Sequence, residues 1–77
     1  MAIVRHLDPQ ELTVEAPHTE TECTYSVVRD RDGKNYLQID TYGSRDRKIA
    51  GKKSQSIRFA PEAIRELRKI IDTHFGA

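Results

Sequence analysis

Only one stretch of this 77-residue chain repeats its apolar residues at helical spacing, and it comes last. Ile64, Leu67, Ile71 and Phe75 form the stripe, and Ala63 and Ile70 widen it. Glu62, Arg65, Glu66, Arg68, Lys69 and Asp72 fill the remaining helix faces. Pro61 suits a first helical position and Gly76 a stop. The patterned segments before Pro61 alternate with a period of two instead. One helix covers one face of a sheet, so the other face stays open to water unless something binds it.

The sheet is read from three runs. Thr24–Arg29 is rich in β-branched and aromatic residues. Asp30-Arg31-Asp32-Gly33-Lys34 follows it, and Asp-Gly between two such runs predicts a hairpin. In the return strand Leu37, Ile39 and Thr41 point to the core, while Tyr36, Gln38, Asp40 and Tyr42 point the other way. This second set is polar with two aromatics and is expected to be solvent-accessible. Gly43-Ser44 is a turn. Arg47-Lys48-Ile49-Ala50 is either a short strand or part of a long connection that Gly51 ends. From Ser54 to Phe59 the alternation returns, with Ile57 and Phe59 inward and Ser54, Ser56 and Arg58 outward. The expected fold is α+β: an N-terminal arm over 1–22, then a domain over 23–77 with three or four antiparallel strands and one C-terminal helix.

The arm reads less clearly. Ala2-Ile3-Val4 is either a strand or a tail. Asp8-Pro9-Gln10-Glu11 has the form of a helix start, but Leu12 and Val14 alternate and Pro17 blocks continuation. A single turn or irregular chain is expected there. Residues 8–22 hold five acids (Asp8, Glu11, Glu15, Glu20, Glu22) and no Lys or Arg. Such a run either competes for a basic face or keeps the arm solvated.

A chain this short has a small core and needs further support. A disulfide within the chain is excluded, because Cys23 is the only cysteine. His6, His18, His74 and Cys23 lack metal-ligand spacing, so no metal and no other cofactor is expected. Association with a second copy is what remains. Cys23, next to Glu22, is expected to be a small, half-buried side chain rather than a nucleophile, since a neighbouring carboxylate raises a thiol's pKa. His74 near the helix end suits the helix dipole. Gly51-Lys52-Lys53-Ser54 lacks the glycine and the hydroxyl position of a nucleotide-hydrolysing loop. No reaction is named by these residues, so an enzyme, or a site for a small-molecule substrate, is not expected. The lone cysteine and the lack of a leader or of an apolar run near the roughly 20 residues that span a membrane point to a cytoplasmic protein without a membrane partner.

Charge gives the functional lead. Between Thr41 and Arg58 there are six basic side chains (Arg45, Arg47, Lys48, Lys52, Lys53, Arg58) and one acid, Asp46, in a chain whose net charge is +1. Tyr36, Gln38 and Tyr42 on one strand, and Ser56 and Arg58 on the next, share the non-core face by parity. Cations neutralise phosphates, and exposed rings stack on unpaired bases for about 1–3 kcal/mol each. The expected ligand is single-stranded DNA or RNA. The competing reading is a small adaptor that uses a sheet edge or its helix face, which the acidic arm and the near-neutral total charge favour.

Tyr36–Ile71 also resembles the positive-cofactor-four family of single-stranded-DNA-binding transcriptional coactivators. Leu37-Gln38-Ile39-Asp40-Thr41-Tyr42 is similar to that family's alternating strand. Ala50-Gly51-Lys52-Lys53-Ser54-Gln55-Ser56-Ile57-Arg58-Phe59 is similar to its Pro-Gly-Lys-Lys segment, and Ala60-Pro61-Glu62-Ala63-Ile64 to its helix start. Ala60 replaces the usual capping Ser, at about 1 kcal/mol. Ile64 stands where Trp is common, and Ser54-Gln55-Ser56 suggests an extra residue or bulge. The resemblance implies a curved antiparallel sheet, a two-fold homodimer and a groove for single strands, bound largely without sequence preference. Its contacts would fall on Lys52, Lys53 and Arg58, with Tyr42 and Arg45 nearby, and DNA would be the commoner ligand in a transcription or DNA-maintenance role.

Overall fold

The structure, a computed structural model, describes residues 1–43 and 53–76. It is α+β: a four-stranded open sheet and one C-terminal helix. The strands are β1 (Ala2–Val4), β2 (Cys23–Arg29), β3 (Asn35–Thr41) and β4 (Gln55–Phe59), in the order β1-β4-β3-β2, and α1 spans Pro61–Phe75.

β2 and β3 form the expected hairpin, with Val27 opposite Leu37 and Tyr25 opposite Ile39. The turn is built by Asp30. Its carboxylate accepts the N–H of Asp32 and of Lys34, each at 2.9 Å, and its carbonyl accepts the N–H of Gly33 at 3.2 Å. Gly33 has φ +80°, a conformation that side chains rarely adopt. The Lys34 N–H is the largest cause holding the Asp30 carboxyl below the usual range.

β4 pairs antiparallel with β3, from Leu37 opposite Phe59 to Thr41 opposite Gln55. The Ser54 N–H also donates to the Thr41 carbonyl, at 2.7 Å. Two successive residues thus oppose Thr41, and the extra residue lies at the beginning of β4.

The sheet is mixed rather than wholly antiparallel, because β1 runs parallel to β4, pairing Ala2 with Ile57 and Val4 with Phe59. The Ala60 N–H extends this ladder to the Val4 carbonyl at 2.9 Å. Of the two forms open to Ala2-Ile3-Val4, the chain takes the strand. No helix forms at Asp8-Pro9, and residues 5–22 are irregular. The start of the arm is nonetheless anchored on α1: the Leu7 N–H donates to Glu66 Oε2 at 2.8 Å, and Arg5 Nη1 lies 3.3 Å from Glu62 Oε1.

The helix begins as its sequence suggests. Pro61 takes the first turn, Ala60 is the uncapped residue before it, and the Ile64 N–H closes the first bond to the Ala60 carbonyl. Ala60 and Ala63 are fully buried where β1, β4 and α1 meet, so small side chains serve this junction. Gly76, at φ +78°, ends the helix.

α1 packs against β3 and β4. A helix about 10 Å across spans only about two strands spaced about 4.8 Å apart. The outer strand β2 is left uncovered. Tyr25 and Val27 are 77% and 70% exposed, and Phe75, at the far end of α1, is 80% exposed. Cys23 is likewise exposed rather than half-buried, because it lies on that same outer strand.

Candidate nucleic-acid interface

Strand register lays out the wet face in rows. Arg58 stands opposite Gln38 on one side and Ile3 on the other, and Gln38 stands opposite Ser26. The next row runs from Ser56 to Asp40 to Thr24. Side chains in a row share a face, and so do alternate residues along a strand. Tyr36, Gln38, Tyr42, Ser56 and Arg58 therefore lie together, and Lys53 joins them through Asp40. Arg45, Arg47, Lys48 and Lys52, the other sequence candidates, lie outside the described residues.

The centre of this face is a hydrogen-bonded chain. Arg58 Nε donates to Gln38 Oε1 at 2.6 Å. Gln38 Nε2 donates to the Asp40 carboxylate at 3.0 and 3.2 Å. Lys53 Nζ closes the chain 3.1 Å from Asp40 Oδ2. Asp40 was expected to meet solvent but is buried, at 3% exposure. Alternation assigned it to the polar face correctly; its neighbours' side chains cover it there. Ser56 directly across, then Gln38, and then Lys53 stabilise the carboxylate against the opposing effect of burial, and its pKa falls to about 2. Among the described residues, no buried side-chain nitrogen or oxygen lacks a partner.

Charge is distributed unevenly as a result. The Lys53 ammonium is balanced by Asp40. Arg58 is bonded to a neutral amide and, among the described residues, forms no ion pair. Its guanidinium is the uncompensated cation of the described part of the face.

The two tyrosines are half-buried, and the hydroxyl of Tyr42 is occupied. Tyr42 Oη lies 2.8 Å from Thr24 Oγ1. The Tyr36 side chain is the main cause raising the Arg5 pKa. Tyr25, the third tyrosine, belongs to the opposite face by register.

A concavity of about 440 Å³ opens on the wet face, lined by Met1, Ala2, Ile3, Gln38, Lys53, Ser56 and Arg58. No local pattern points to Met1 and Ile3 at this site, because the β1–β4 pairing joins residues more than fifty positions apart. Asp40 could have been found: it sits two positions from Gln38, on the same side of the strand. Among the described residues, no three His, Cys, Asp or Glu side chains gather to hold a metal, and no helix is long and apolar enough to cross a membrane. No family model, curated protein or solved structure matches this chain.

Proposed function

We propose that this protein binds single-stranded nucleic acid on the wet face of its sheet, largely without sequence preference, and does so as a binder rather than a catalyst. One observation carries the reading. Six residues selected from the sequence (Tyr36, Gln38, Tyr42, Lys53, Ser56 and Arg58) share one face, with a cation and half-exposed rings on it. The chain between β3 and β4, which joins this face at both ends, supplies further lysines and arginines in its sequence. Phosphate contacts come from the cations and base contacts from the ring faces. The resemblance of residues 36–71 to the positive-cofactor-four family favours DNA over RNA, and a cytoplasmic role in transcription or DNA maintenance.

The same reading includes a two-fold homodimer. Tyr25, Val27, Ile71 and Phe75 are exposed apolar side chains on β2 and on the end of α1. Surface of this kind marks an association site. A symmetric pair would let each copy's helix end cover the other's outer strand. The adaptor reading draws on the same strand, since β2 is, among the described residues, an unpaired edge able to accept a strand from another protein.

Sedimentation velocity of the protein alone, and with a labelled 20-mer single strand at low salt, separates these readings. The expected result is a dimer that carries the label with it. A label that sediments as free oligonucleotide overturns the nucleic-acid reading, and a monomer at high micromolar concentration overturns the dimer.

A further inference from the structure

The concavity over β1 and β4 has a composition that general backbone binding does not require. Ile3 is 54% exposed on a polar face, directly beside the uncompensated Arg58. The Arg58 Nε is taken by Gln38 Oε1, while its terminal nitrogens have no partner among the described residues. The orientation of the Gln38 amide is fixed from its other end, because the buried Asp40 carboxylate accepts and, of the two ends of the amide, only the nitrogen donates. The guanidinium is thus held by one edge, with its two-pronged end available. That end matches two oxygens of a phosphate. Met1 and Ile3 supply an apolar wall next to it. Phosphate at one end and a flat apolar group at the other describe one nucleotide.

From this juxtaposition we infer that the concavity is a single-nucleotide subsite. Arg58 takes the phosphate and Ile3 the face of the base or sugar, while Gln38 and Asp40 act as positioning residues for Arg58. The inference rests on the single-strand reading above and adds where one unit of the strand sits. The volume, about 440 Å³, is within the range of about 300–1,000 Å³ typical of small-molecule sites.

The test is an NMR titration of the parent protein with thymidine 5′-monophosphate, thymidine and inorganic phosphate, alongside binding of a labelled 20-mer. The monophosphate should shift the Arg58 Nε–H and the Ile3 methyl signals together, and more strongly than either fragment. Gln38→Met should make the Arg58 Nε–H exchange faster and weaken the 20-mer roughly tenfold, the loss expected for a displaced charge-assisted contact. If inorganic phosphate matches the monophosphate and Ile3 stays still, the site is an anion site only and the inference fails. It also fails if Gln38→Met binds like the parent, or if the 20-mer binds while the monophosphate shifts other residues. A parent that does not bind the 20-mer at all removes the single-strand reading itself, and the subsite with it.

Discussion

On one face of the sheet a carboxylate, Asp40, is sealed to 3% exposure by the polar side chains around it; on the other, Tyr25 and Val27 stand 77% and 70% exposed. The polar face meets its own needs and the apolar face does not. A hydrogen-bonded network can close over itself when each donor has an acceptor beside it, as from Arg58 through Gln38 to Asp40 and Lys53. Apolar surface leaves water only under another layer, and α1 covers two strands of four. The polar face is therefore ordered by its own bonds, while the apolar face keeps exposed side chains on β2 and the end of α1.

The largest effect is expected at the apolar face. Tyr25→Asp combined with Phe75→Asp should weaken self-association by about a thousandfold or more, since each aromatic burial is lost twice in a symmetric pair. Sedimentation equilibrium reads this directly, with circular dichroism checking that the fold persists. Unchanged association would mean that this face is not the one that pairs.

On the polar face the larger effect belongs to Arg58. Arg58→Ala should lower affinity for a single-stranded 20-mer roughly ten- to hundredfold. It should also reduce the slope of log affinity against log salt by about 0.7, the contribution of one phosphate contact. Lys53→Ala should move that slope far less, because Asp40 already balances the ammonium. Equal slopes for the two variants would show that the pairing of Lys53 has no bearing on binding.

The buried carboxylate of Asp40 makes the stability of the polar face depend on pH. Its folded pKa of about 2 lies below the ordinary 3.8, so its contribution to stability is complete above about pH 4. That contribution declines as pH falls toward 2, because the unfolded chain takes up the proton first. Thermal melts of Asp40→Asn should start lower at neutral pH and show a flatter decline through this window. An acid limb identical to the parent's would contradict the role given to the carboxylate.

Much of the fold was legible in the residues. Asp30 and Gly33 signalled the hairpin because the turn needs a side-chain acceptor and a positive φ, and both are found. Pro61 and the Ile64–Leu67 spacing gave the helix. Parity alone placed Gln38, Ser56 and Arg58 together. Other features depend on contacts between distant segments. The parallel pairing of Ala2–Val4 with β4 has no local pattern, since three apolar residues have no measurable period. The burial of Asp40 and its pairing with Lys53 require the chain to return beside β3 after a long connection. Alternation tells which way a side chain points, and it does not tell what will lie on top of it.

In the proposed function, single strands bind the face carrying Gln38, Ser56 and Arg58 and not the face carrying Tyr25 and Val27. Chemical-shift mapping of the protein with an unlabelled single-stranded 20-mer at low salt tests it most directly. Shifts are expected at Ser26, Gln38, Ser56 and Arg58, with Tyr25, Val27 and Ile71 unmoved. Shifts that cluster on β2 and the end of α1, or none at all at saturating strand, would contradict it.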